Sequence, residues 1–116
     1  MNTLADEKIV LSKKGDAAIS RDDAGALLTN IKDWSIVLDD CDKLTKCYKL
    51  PDYLTAVALT RKFAAIAEQV NHHPVIMLEW GKVTVYWCSR KVNGLHINDF
   101  IMAAKTDMIA KLAVRS

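Results

Sequence analysis

The amino-acid sequence predicts an α+β fold, a four-stranded antiparallel sheet built from two hairpins with three helices packed on one face, in the order α-β-β-α-β-β-α. Three observations carry that expectation. Residues 82 to 89 alternate, with Val83, Val85 and Trp87 on one parity and Thr84, Tyr86 and Cys88 on the other, as in a half-buried strand. Leu59, Phe63, Ile66 and Val70 recur at steps of four, three and four, the period of an amphipathic helix. Two short β-rich runs are each followed, across a turn, by a second such run. The apolar helical stripes need a surface, and the simplest solution lays all three on the same side of the sheet.

In chain order, residues 1 to 19 lack sustained periodicity, and Lys13, Lys14, Gly15 and Asp16 read as a loop. A loose or surface-draped lead-in is expected there, followed by one domain over 20–116. Ser20 is a candidate N-cap, with Asp22 and Asp23 in the first turn and Leu27, Leu28 and Ile31 at helical spacing, giving a short helix over 21–31. Residues 34–38 are aromatic and β-branched, a strand. Residues 39–42 read as a turn, and 43–50 as the partner strand. Pro51 suits the first turn of a long helix over 51–72. Residues 75–80 form the third strand, Gly81 and Lys82 the turn, and 82–89 the fourth strand. After a loop at 91–94, a last helix spans 97–113, its stripe made of Phe100, Ile101, Ala104, Met108, Ile109 and Leu112. The second sheet face and the edge strands stay uncovered, which favours self-association.

Composition narrows the function classes. A chain of 116 residues makes one domain with one core, and 51% hydrophobic residues exclude a disordered tail. A net charge of +2 without a basic run leaves no footprint for nucleic acid. The apolar runs are too short to span a membrane, and no signal-peptide pattern opens the chain, so a cytoplasmic location is expected. Cys41, Cys47 and Cys88 are odd in number and form no CxxC pair; they read as reduced, mostly buried thiols.

The chemistry concentrates in residues 68–74, where Glu68 is followed by His72, His73 and Pro74. The residue before a proline is pushed out of helical geometry, so the long helix should stop near His72 or His73. Both imidazoles then sit at the negative end of a helix dipole, which favours their protonated form by up to about 1 kcal/mol. Glu68 lies one turn upstream of His72 on the same face and would tune that ring. Two imidazoles and a carboxylate at one helix end suit proton transfer near neutral pH. Adjacent histidines do not share a helix face, which argues against a metal site made from Glu68, His72 and His73.

These residues resemble the signature of the pterin-4a-carbinolamine dehydratases, in particular the bacterial kind associated with phenylalanine hydroxylase. The likeness runs from about Ser20 to the C-terminus. Glu68, His72, His73 and Pro74 match, Trp80 is the aromatic six residues after the proline, and Gly94, Leu95 and Asp99 fall in register. Trp34, the 79–85 hairpin and residues 94–100 are also similar to the bacterial branch. One position departs: where that family carries a third histidine, this chain has Arg90, preceded by Ser89. A guanidinium stays protonated and cannot exchange a proton as imidazole does, though it still donates hydrogen bonds.

The resemblance implies loss of water from 4a-hydroxytetrahydropterin to give quinonoid dihydropterin, recycling pterin for phenylalanine hydroxylase, with no metal and no cofactor. It implies His72 as the acid on the 4a-hydroxyl, His73 as base or ring contact, and Glu68 as support. Arg90, Asp99, Trp80 and Pro74 would bind or orient the pterin, with Asp99 also able to cap the last helix. His96 falls where the family often has a threonine cap. A homodimer or homotetramer is expected. The competing expectation is a weak or inactive binding protein on the same fold, with a coactivator or assembly role, because Arg90 replaces histidine.

Overall fold

The computed structural model describes residues 18–115; the expectation for residues 1–17 lies outside the described residues. The elements are α1 (Arg21–Leu28), β1 (Ser35–Asp39), β2 (Cys41–Lys49), α2 (Tyr53–Val70), β3 (Val75–Glu79), β4 (Lys82–Trp87), a 3-10 turn (Arg90–Val92) and α3 (Ile97–Arg115). The strands form one antiparallel sheet in the order β1-β2-β4-β3. The expected class and element order are those observed.

Local chemistry sets the boundaries, and several differ from expectation. Ser20 caps α1 by accepting the Asp23 N–H at 3.2 Å. The helix ends at Leu28 rather than 31, because the Thr29 hydroxyl and the Asn30 amide take up the Ala26 and Leu27 carbonyls. The expected turn at 39–42 is mostly strand. Asp39 pairs with Cys41, and Asp40 alone reverses the chain with φ 61°, a conformation that aspartate tolerates better than most residues. Asp52, not Pro51, starts α2: its carboxylate accepts the Thr55 N–H at 2.7 Å. Gly81 takes φ 76° in the β3–β4 turn, and the Leu50 N–H binds its carbonyl at 2.8 Å.

Leu44, Val83, Val85 and Trp87 share one sheet face and are fully buried. Leu59, Phe63 and Ala67 of α2 and Phe100, Met102 and Ala103 of α3 pack in the same core, with Ala24 of α1. Each large buried side chain contributes about 1.5–3 kcal/mol. The other sheet face carries Thr45, Cys47, Thr84 and Tyr86. This placement corrects the thiol expectation. The cysteines are free, but Cys47 is exposed and Cys41 and Cys88 are half-buried, since odd-numbered positions of β2 point away from the helices.

The rotation of α3 also differs from the expected stripe. Met108 and Leu112 are exposed, while Met102, Ala103, Thr106 and Ala110 face inward. Polar contacts set this rotation. Asp107 accepts from Trp34 Nε1 at 2.9 Å, Lys46 Nζ at 2.7 Å and Tyr48 Oη at 2.6 Å. Thr106 accepts from Trp87 Nε1 at 3.1 Å. Helix α3 is therefore fixed against Trp34, β2 and β4, and that fixes what its first turn presents.

Candidate active site

The last turn of α2 does not run into the histidines directly. Asn71 adopts the left-handed conformation, φ 53°, and the His72 N–H reaches back to the Ala67 carbonyl at 3.2 Å. This is the Schellman type of helix ending, for which asparagine is a good substitute for glycine. The reversal carries His72 off the helix and onto the sheet. Its ring stacks on the buried Trp87, with centroids 5.4 Å apart and planes 25° apart. His73 follows on the outer side, half-exposed, just before Pro74.

The carboxylate partners are not those expected. Glu68 does not tune His72; it accepts from His73 Nε2 at 2.6 Å, and the pair is well exposed. The left-handed residue between helix and histidines breaks the i, i+4 relation on which the expectation rested. His72 instead donates from Nε2 to Asp99 Oδ1 at 2.7 Å. Asp99 is fully buried, and its Oδ2 accepts from the Ser89 hydroxyl at 2.8 Å and the His96 N–H at 2.9 Å. A buried charge is tolerated when paired and hydrogen-bonded in this way. Asp99 also closes the first turn of α3: its own N–H binds the His96 carbonyl, while His96 Nδ1 accepts the Asn98 N–H at 3.1 Å. His96 is thus an N-cap, with Asp99 as the reciprocal partner of a capping box.

This arrangement fixes the tautomer of His72. Nε2 carries the proton bound to Asp99, which leaves Nδ1 for the cavity. The cavity holds about 830 Å³, within the range of small-molecule sites. Its lining includes Asn71, His72, His73, Pro74, Arg90 and Asn98. Glu68 and Asp99 stand behind their histidines. Trp80 is elsewhere: it occupies the β3–β4 turn, 73% exposed, and does not line the cavity. Its position at the hairpin tip, at the opposite end of β4 from Tyr86, accounts for this. Cys88 does line the cavity, and burial, with the neighbouring Cys41, pushes its thiol up to about 11; Lys43 acts in the opposite direction.

Ser89 escaped sequence reasoning as a site residue, because nothing in its local pattern shows that its hydroxyl is buried against Asp99. Among the described residues, no group of three or more His, Cys, Asp or Glu side chains is placed to hold a metal ion. No helix among them is long and apolar enough to cross a membrane.

The family model for pterin 4 alpha carbinolamine dehydratase matches residues 17–109. The chain belongs to that family. Another protein with this similarity comes from Microcystis aeruginosa and carries the name "Putative pterin-4-alpha-carbinolamine dehydratase". It is 41% identical over 110 residues, covering 94% of this chain and 95% of that one. Among solved structures, a transcriptional coactivator/pterin dehydratase from Brucella melitensis aligns with a TM-score of 0.74 and 27% identity, covering 80% of this chain and 98% of its own. A pterin dehydratase-like protein described as a RuBisCO assembly factor of the α-carboxysome aligns at 0.57 and 20% identity, over 66% of this chain and 88% of its own; that likeness concerns the fold alone. As a pterin carbinolamine dehydratase family member, the chain presents His72, His73, Pro74 and Arg90 on one cavity, with Asp99 and Glu68 behind them.

Proposed function

We propose that this chain removes water from 4a-hydroxytetrahydropterin, giving quinonoid dihydropterin and recycling the pterin used by phenylalanine hydroxylase. The observation that carries the reading is His72, held by a fully buried Asp99 with its other ring nitrogen left for the cavity. In the reaction the C4a–O bond breaks and the N5–H proton leaves. His72 in its imidazolium form gives the Nδ1 proton to the departing hydroxyl, so that water leaves. His73 takes the proton from N5, and Glu68 stabilises the cation that forms. Net change in the site is one proton moved from His72 to His73, reset through solvent. Each well-placed acid or base supplies about 10²–10⁴ in rate.

Asp99 acts through His72, holding the ring in place and keeping the proton on Nε2. Arg90 donates hydrogen bonds to the pterin and does not exchange protons. Exposed Val75 and Met77 on the edge strand β3 support self-association into a dimer or tetramer. The test is direct. Purified protein is mixed with freshly generated 4a-hydroxytetrahydropterin and the ultraviolet change is followed against buffer. Acceleration is expected, and decay at the buffer rate would remove the reading. A second reading, a pterin-binding protein with a coactivator or assembly role, is favoured by Arg90 standing where a third imidazole would be; tight pterin binding without turnover would select it.

A further inference from the structure

Two nucleophiles on the cavity wall take no part in the proton transfers. Cys41 opens β2, directly after the left-handed Asp40, and Cys88 follows the last residue of β4. Leu44 pairs with Trp87, so the next step of the register sets Cys88 across from Lys43, and Cys41 lies two residues further on the same face. Both thiols are free, half-buried and part of the cavity lining, where a small solute reaches them. Their side chains touch: the Cys88 thiol and the Cys41 sulfur share a hydrogen bond. Cys47, the third cysteine of the chain, stands six residues along β2 from Cys41, about 20 Å away, and cannot join them. Among the described residues, no further ligands complete a metal site around the pair.

We propose that Cys41 and Cys88 form a redox site, oxidised by a peroxide to an intramolecular disulfide that lowers turnover in the cavity they line. With hydrogen peroxide, the Cys41 thiolate attacks one oxygen: the S–O bond forms, the O–O bond breaks, and the other oxygen leaves as hydroxide and takes a proton to become water. The Cys88 sulfur then attacks the sulfenic acid: the S–S bond forms, the S–O bond breaks, and hydroxide leaves with the Cys88 proton as a second water. The two thiols give up two electrons, and the peroxide is reduced to two waters. Burial, and then the charge of Cys41, pushes the Cys88 thiol up to about 11. Oxidation of Cys41 removes the second of those causes, so the first step readies Cys88 for the next. Both residues sit at strand ends, where the backbone can follow the sulfurs as they close. Cys88 also adjoins Ser89, whose hydroxyl binds Asp99, the partner of His72. A bond that pulls on Cys88 therefore reaches the carboxylate behind the ring. The oxidation is independent of the dehydratase reading; its effect on turnover rests on that reading.

In the test, the full chain is treated with hydrogen peroxide, its remaining thiols are alkylated under denaturing conditions, and its peptides are read by mass spectrometry. The expected product has lost two hydrogen atoms, carries a Cys41–Cys88 crosslink and keeps Cys47 open to alkylation; dithiothreitol reverses it. Cys47→Ser should give the same crosslink, and Cys41→Ser none. Cys41 and Cys88 left uncrosslinked after Cys47 has been oxidised would overturn the inference, whatever the activity. Rates are read in Cys47→Ser, where no other thiol contributes. Its oxidised form should turn over 4a-hydroxytetrahydropterin about tenfold more slowly, with full recovery in dithiothreitol, since displacing a positioning group by about 1 Å costs rate on that scale or more. A crosslinked chain with an unchanged rate would overturn the control of turnover. A reduced chain that does not accelerate the reaction would remove the dehydratase reading and the turnover effect with it, and the crosslink still decides the redox site.

Discussion

Asp99→Asn is the sharpest probe of the site, because it alters charge and hydrogen-bond direction while keeping shape. In the wild type, Oδ1 accepts from His72, and Oδ2 accepts from Ser89 and His96. An asparagine keeps its one oxygen where two donors converge, which turns its NH₂ toward His72. Nε2 must then accept, so the proton of the neutral ring moves to Nδ1. Such a ring could give up that proton only by becoming an imidazolate, and its role as an acid is lost. The expected fall in kcat/KM is about 10²–10⁴, or about 2.7–5.5 kcal/mol of barrier. Stability should fall by about 1–3 kcal/mol, the cost of mismatching a buried hydrogen-bonded group. Stopped-flow ultraviolet measurement with the buffer rate subtracted reads the first, thermal unfolding the second, and nitrogen-15 spectra of the ring report the tautomer directly. A variant with the changed tautomer but a rate within about threefold of wild type would refute the assignment of His72 as acid.

Other expectations follow from the same geometry. Arg90→His should raise turnover of a pterin with a neutral side chain about tenfold, measured by the same assay; no gain beside a fast wild type would show that two imidazoles suffice. Asp107→Asn leaves three donors sharing a poorer acceptor and should cost about 1–3 kcal/mol in chemical denaturation. Burial and then Asp107 hold the Tyr48 phenol well above its ordinary range. The folded state therefore keeps that proton more tightly than the unfolded chain. The resulting stabilisation is complete below about pH 10 and is lost as pH rises beyond it, so wild-type denaturation curves should shift downward only in strong alkali. Thiol alkylation followed by mass spectrometry at pH 8 should label the exposed Cys47 first, and Cys88, pushed up to about 11, more slowly. Equal rates would contradict that ordering.

Much of this architecture was legible in short-range patterns. The alternation of Val83, Val85 and Trp87 marked the buried face of β4, and the Leu59–Phe63 spacing marked the inner face of α2. Ser20 announced the cap of α1. What local pattern could not supply was the pairing of charges. His72 and Asp99 are 27 positions apart and meet only because α3 lies across the sheet. The swap of Glu68 from His72 to His73 depends on one left-handed residue, Asn71, whose φ is not written in a helical periodicity. The rotation of α3 was misread for a related reason. Met108 and Leu112 are apolar but exposed, while the polar Thr106 faces inward and Asp107 takes its three donors from Trp34, just before β1, and from Lys46 and Tyr48 of β2. Trp80 matched a spacing, yet a hairpin tip carried it away from the cavity.

The way α3 is held links tolerance and turnover. Asp99 and Asp107 lie eight residues apart, about 12 Å along one helix. One grips the His72 ring and the other grips the scaffold. A small slip or twist of that rod would be felt at both ends at once, so substitutions near Asp107, remote from the cavity, should register in the rate before they register as unfolding. Heat-hardened variants selected for a firmer grip at Asp107 would then be candidates for altered chemistry as well.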